Sequence, residues 1–190
     1  MLSRDEILED LTGAGALLNG HFLLTSGLHS AQYIQCAALL KQPDLAGKLC
    51  QELAGKVRQY RPEVIIGPAM GGIIVAYEVA RTLKLSGIFA ERKAGRMQLR
   101  RNFQITPGER VVVVEDVVTT GRSVQEVIAL IKQQRGELVA VAALIDRSGG
   151  KTDFGVPFES LLTLDIEVYS TEDCPLCQTG SPVVKPGSRD

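Results

Sequence analysis

Val111-Val112-Val113-Val114-Glu115-Asp116-Val117-Val118-Thr119-Thr120-Gly121-Arg122-Ser123 is the stretch on which the fold turns. Four consecutive valines predict a strand buried on both faces, as in a parallel sheet covered by helices. Two adjacent carboxylates, Glu115 and Asp116, stand at its C-terminal end, where open parallel sheets bind their ligands. A short loop with hydroxyls and a glycine then runs into a helix expected near Ser123–Gln134. The backbone N–H groups of such a loop and the helix N-terminus make a phosphate cradle, to which Thr119, Thr120 and Ser123 add hydroxyl donors. Carboxylates beside a bound phosphate would repel it unless they address something else, such as ribose hydroxyls or a divalent cation. An acidic pair alone would do no more than end a strand and cap a helix. The whole combination points to a ligand carrying both phosphate and sugar.

Working outward, Val64–Ile66 predicts a strand that ends at Gly67-Pro68 and is followed by a helix over Ile73–Leu83. Strands are expected at Gly87–Glu91 and Leu138–Ile145, with Leu161–Val168 as an added edge strand. Continuously apolar strands alternating with helices define an α/β fold, a doubly wound and mostly parallel sheet over residues 62–146. Upstream, Ser3-Arg4-Asp5-Glu6 reads as a capping box opening a helix to about Leu18. Strand pieces His21–Leu24 and Gln32–Cys36 flank the turn-prone Thr25-Ser26-Gly27, and a helix starts at Pro43 and runs to about Tyr60. The chain is thus read as one domain over residues 1–180, with an N-terminal annex at 1–40. Residues 181–190 are expected to form a poorly ordered tail.

The 190 residues are 45% hydrophobic and 23% charged, which excludes bulk disorder. No apolar run approaches the ~18 residues that span a bilayer. The acidic start MLSRDEILEDL does not resemble a secretory signal, so no membrane partner and a cytoplasmic location are expected. A net charge of −1 argues against nucleic acid as the main partner. A local basic run hides in that total: Arg92, Lys93, Arg96, Arg100 and Arg101, with no acid among them. Of the four cysteines, Cys36 and Cys50 read as small core residues. Cys174 and Cys177 form a single CxxC. A structural zinc needs four ligands, and His21 and His29 lie far off in sequence, so these thiols are read as buried or incidental and His29 as a turn residue.

The 111–123 stretch resembles the phosphoribosyl-diphosphate-binding signature of the type I phosphoribosyltransferases: an apolar strand, two acids, two variable residues, then Thr-Thr-Gly. Four other stretches are similar to those of family members that act on orotate. They are His21–Ser30, Ile66–Gly72, Glu91-Arg92-Lys93 and Ile145-Asp146-Arg147, and the likeness extends over about residues 1–180. It implies Mg²⁺-dependent transfer of ribose 5-phosphate from phosphoribosyl diphosphate to orotate, giving orotidine 5′-phosphate and pyrophosphate in pyrimidine biosynthesis. Mg²⁺ would be held mainly by substrate, without direct protein ligands.

Residue by residue, the resemblance implies that Glu115 and Asp116 hold the ribose 2′- and 3′-hydroxyls. Val117, Val118, Thr119, Thr120, Gly121, Arg122 and Ser123 would wrap the 5′-phosphate. Met70 and Gly71 would belong to a pyrophosphate loop with a strained peptide bond between Ala69 and Met70. Arg92–Arg101 would be a mobile loop closing over the neighbouring active site of a homodimer, with Arg92, Lys93 and Arg96 on the pyrophosphate. These three cations and Asp116 are the catalytic candidates. Arg147 would grip the orotate carboxylate, with Thr119, Tyr33 and Ile34 around the base.

Three departures stand out: Met70-Gly71 in place of Tyr-Lys, Gln98 in place of a loop histidine, and Thr25 in place of a lysine. Two other readings compete. One is a phosphoribosyltransferase for adenine, xanthine or another base, which the phosphate motif does not separate. The other is a regulator that kept the fold and binds nucleic acid, which would need a broad basic face.

Overall fold

The computed structural model describes residues 2–24 and 26–186. In chain order the elements are α1 (Arg4–Gly13), β1 (Leu17–Leu23), β2 (His29–Ile34), α2 (Cys36–Leu40), α3 (Pro43–Val57) and β3 (Val64–Pro68). They continue with α4 (Gly71–Leu83), β4 (Ser86–Lys93), β5 (Arg96–Leu99), β6 (Arg110–Val118), α5 (Arg122–Gln133) and β7 (Glu137–Asp146). β8 (Phe158–Thr163), β9 (Val168–Tyr169) and α6 (Pro175–Gln178) complete the chain.

Six strands form one sheet in the order β5-β4-β3-β6-β7-β8, parallel throughout except for β5 against β4. Because β3 precedes β4 and β6 in the chain, the direction of winding reverses between β3 and β6. Such a switch point opens a crevice at the C-terminal strand ends. The valines of β6 show why the run is continuous. Val112 and Val114 join the cluster built from α3 and α4, while Val111 and Val113 join that built from α5. All four are fully buried, so alternate side chains serve two cores.

A second, antiparallel sheet has the order β1-β2-β9. Its β1 begins earlier than the sequence predicts. The first helix ends at Gly13 instead of running to Leu18, because Gly15 takes φ +68° and breaks it. The Ser3–Glu6 capping box is present in both directions. The expected edge strand at Leu161–Val168 is divided: β8 closes the large sheet, and Val168 pairs with Ser30 in the small one. The tail also departs from expectation. Val184 donates its N–H to His21 O at 2.8 Å and accepts from Leu23 N at 2.9 Å, so this part of it lies as a bridge along β1. Residues 187–190 of that tail lie outside the described residues. Among the described residues no helix is long and apolar enough to cross a membrane.

Candidate active site

Four chemistry-bearing stretches emerge along one edge of the large sheet, at the C-terminal ends of β3, β4, β6 and β7. After β6, Thr119 and Thr120 lead to Gly121, which takes φ +71° and starts α5. A side chain is excluded there on two counts. The φ favours glycine, and a Cβ would lie 2.7 Å from Thr152 Cγ2 and 2.9 Å from Phe154 Cε1. Gly121 has no side chain to cap α5 and only a long hydrogen bond, Arg122 N to Thr120 Oγ1 at 3.5 Å, serves its first turn, so the start of the helix is left with donors for an anion. The resulting hollow of about 70 Å³ is lined by Glu115 and by residues 117–124.

The two carboxylates sit between this hollow and the β3–α4 loop. Glu115 is buried, and its carboxyl pKa is pushed up to about 10 by that burial and then by the neighbouring Asp116. It therefore holds a proton until something polar or cationic compensates its charge. Asp116 Oδ1 accepts from Val117 N at 2.9 Å. A Cβ on Gly71 would meet Asp116 Oδ2 at 2.2 Å, and one on Gly72 would meet Glu115 Oε1 at 3.1 Å. Behind them, a Cβ on Gly67 would come within 2.1 Å of Gly72 O. The glycines thus let the loop backbone press against both acids. The Ala69–Met70 peptide is cis, at the position the resemblance implied for an unusual bond.

The basic run forms an ordered hairpin where a loop was expected. Lys93 pairs with Arg96 across an Ala94-Gly95 turn in which both residues have positive φ, the primed geometry that suits tight hairpins. Its cations are interleaved with acids from outside the run. Arg100 and Arg101 pair with Glu91 at 3.2 and 3.3 Å, and Arg101 lies over the Phe89 ring. Arg92 pairs with Glu126 of α5, which also accepts from Arg122 Nε at 3.2 Å. Among the described residues Lys93 and Arg96 make no ion pair, so the free charge concentrates at the hairpin tip. This is not the broad basic face that nucleic acid requires. The Arg92–Glu126–Arg122 link escaped the sequence reading, although the four-residue spacing of Arg122 and Glu126 was a signal for half of it.

Arg147 follows β7, and its N–H donates to Val118 O at 2.8 Å, beside Thr119. Partial burial lowers its pKa, and Tyr33 acts in the opposite direction, so the guanidinium and the phenol share one neighbourhood. Tyr33 also packs on Phe22, with ring centroids 5.8 Å apart. Ile34, the next residue in β2, faces the other way and is buried in the core. Alternation along a strand prevents both from facing one ligand, so Ile34 is corrected to a core residue. Thr25 lies outside the described residues.

The crevice at a switch point, the uncapped helix start and the acidic pair define a class, the phosphoribosyl transferases, whose domain family matches residues 36–154. Full-length relatives narrow the class. The orotate phosphoribosyltransferase of Caldicellulosiruptor bescii is 53% identical over 99% of this chain and 99% of its own. That of Thermotoga maritima is 57% identical over 96% of this chain and 98% of its own. The crystal structure of orotate phosphoribosyltransferase from Aeropyrum pernix, 30% identical, superposes with a TM-score of 0.70 over 83% of this chain and 93% of that one. The chain belongs to the orotate phosphoribosyltransferase family.

Proposed function

We propose that this chain transfers ribose 5-phosphate from phosphoribosyl diphosphate to orotate, releasing pyrophosphate, with Mg²⁺ as cofactor. The observation that carries the reading is the Glu115–Asp116 pair, set between the uncapped start of α5 and the glycine loop at Gly71. The 5′-phosphate occupies the Val117–Ser123 cradle. The ribose 2′- and 3′-hydroxyls lie on Glu115 and Asp116, adding hydroxyl donors to buried Glu115, whose Oε1 otherwise accepts from Asp116 N at 3.3 Å. As the C1′–oxygen bond to pyrophosphate breaks and the C1′–nitrogen bond to orotate forms, positive charge grows on the ribose beside these carboxylates. Arg147 takes the orotate carboxylate as a two-pronged donor and Tyr33 covers the base, with Thr119 on the same side. Ile34 supports β2 from behind.

The leaving pyrophosphate collects on the Met70-Gly71 backbone and on the hairpin cations Lys93, Arg96 and Arg92. Lys93 and Arg96 are available for it, whereas Arg92 first exchanges Glu126 for phosphate oxygen. The oxygen donors of Glu115 and Asp116 and the open glycine loop fit a hard divalent cation held chiefly by substrate. When bound, Mg²⁺ neutralises charge on the diphosphate.

A homodimer completes the site, with the Arg92–Arg101 hairpin reaching over the neighbouring crevice. Met70, just before α4, and Ile74 and Tyr77 on the same face of it, exposed by 82%, 41% and 65%, suit a second copy. The unpaired thiols of Cys36 and Cys50 suit a reducing, cytoplasmic setting.

The test is pyrophosphate release by the purified chain with phosphoribosyl diphosphate and Mg²⁺, offering orotate, uracil, adenine, guanine and xanthine separately. Turnover with orotate alone is the expected result. Turnover with a purine would keep the cradle and overturn Arg147 as the carboxylate reader. Tight phosphoribosyl diphosphate binding without any turnover would point to a regulator instead.

A further inference from the structure

His21, His29, Cys174 and Cys177 play no part in the reaction above, yet the fold gathers them. The ligand atoms His21 Nε2, His29 Nδ1 and both Sγ atoms lie within 4.8 Å of one another. His21 Nε2 is 3.5 Å from Cys174 Sγ and 3.7 Å from Cys177 Sγ, and His29 Nδ1 is 3.3 Å from Cys177 Sγ. The two imidazole nitrogens are 2.8 Å apart. We infer that these four side chains form a structural Zn²⁺ site that fastens the C-terminal segment to the small sheet.

Geometry supports this first. Tetrahedral zinc with Zn–S near ~2.3 Å and Zn–N near ~2.0–2.1 Å requires N···S separations of about 3.6 Å and an N···N separation of about 3.3 Å. The three N···S distances fall around that value, and the two nitrogens need to part by about half an ångström to admit the ion.

The chemistry of the donor set agrees. Two thiolates and two neutral imidazoles match the borderline-soft preference of zinc and exactly balance its double charge. The tautomer is arranged as well: His21 Nδ1 lies 2.9 Å from Ser181 O, and a carbonyl there accepts only from Nδ1–H. The Nε2 lone pair is thereby directed into the cluster, as in the backbone-supported histidines of metal sites. All four ligands come from protein, and His21, His29 and Cys174 are buried. A closed, four-ligand set of this kind leaves no open position and is structural rather than catalytic.

Local structure delivers each ligand. The register irregularity between Asn19 and Phe22 in β1 carries His21, and such a bulge re-aims a side chain. Cys174 precedes α6 in extended conformation, and the single turn Pro175–Gln178 brings Cys177 back beside it. That turn buries no residue of its own, so apolar packing does little to hold it. Zinc would bind residues 153 positions apart in sequence and supply the fastening that packing does not.

Metal analysis of the chain, purified without chelator and dialysed against Zn²⁺, should find about one zinc per chain. The C174S/C177S double variant should fall below about a tenth of that, and Cys50→Ala, outside the cluster, should keep it. Loading with Co²⁺ should give the visible spectrum of tetrahedral, thiolate-ligated cobalt. Chelation should lower the thermal midpoint of the wild-type chain and expose two further thiols to a thiol reagent. Wild-type chain that holds no zinc, a Cys174–Cys177 disulfide in mass spectra of the freshly purified chain, or undiminished zinc in the double variant would each overturn the site. Should the double variant not fold, the metal content and chelator response of the wild type still decide.

Discussion

The six-stranded sheet and the three-stranded sheet are held by different forces. In the first, Val64–Pro68 and Val111–Val114 are buried without interruption between two helical layers. In the second, His21, His29 and Ser30 are buried polar groups, and Ser30 Oγ donates to Glu167 O at 2.9 Å. The proposed anion cradle thus stands on apolar packing and backbone geometry that exist before any ligand arrives. The proposed base end, with Tyr33 on β2, stands on a sheet joined to the rest partly by polar links. A preorganised cradle spends no binding energy on ordering itself, which leaves more for the transition state.

The largest effect should come from damage to the cradle. Gly121→Val forces a branched side chain into φ +71° and against Thr152 and Phe154, and should lower kcat/KM at least about 10³-fold. Tight phosphoribosyl diphosphate binding by this variant in calorimetry would show that the cradle is not preorganised. Next, Lys93→Ala at the hairpin tip should lower kcat about 10²-fold with little change in either KM. Unchanged turnover would remove the hairpin from the chemistry.

At the base end, Arg147→Ala should raise the KM for orotate about 30- to 100-fold, the scale of a lost charge-assisted pair, and leave that for phosphoribosyl diphosphate within about twofold. Equal damage to both would erase the division between the two ends. The smallest effect concerns stability. Glu115 has a folded pKa of about 10 against an ordinary 4.5, so the native state binds more protons than the unfolded state between those values. Stability is therefore lost as pH rises through that window. Glu115→Gln removes this dependence, and its thermal midpoint should rise relative to that of the wild type as the pH goes from about 6 to about 9. Parallel pH profiles would show that Glu115 is already ionised in the empty site.

What was legible in the sequence follows the same division. The valine run, the acidic pair and the glycine loops are local patterns whose meaning depends on strand period and turn geometry, and they were enough to locate the parallel sheet and the loop at the end of β6. The annex was harder to read. Whether Leu17–Asn19 continues a helix or starts a strand is settled by one glycine, Gly15, and by pairing with Gln32–Ile34. The basic run reads as a loop because its charges hide the Ala94-Gly95 turn that makes it a hairpin. Ile34 resembles a base contact by position, but a resemblance does not transfer the face of the strand, and here that side chain is buried in the core. The gathering of His21 and His29 with Cys174 and Cys177 is a product of tertiary topology, and sequence spacing alone does not encode it.

Leu11, Leu17 and Ile34 from the annex share a single apolar cluster with Val112, Val114 and Leu144 of the large sheet. Peeling the annex away would strip cover from the very strand that ends in Glu115 and Asp116. Partial melting therefore has no stable stopping point, and both sheets should be lost in one transition. A mutation that loosens the annex far from any substrate would then lower the population of working enzyme as a whole, rather than leave behind a half-folded protein that still grips phosphate.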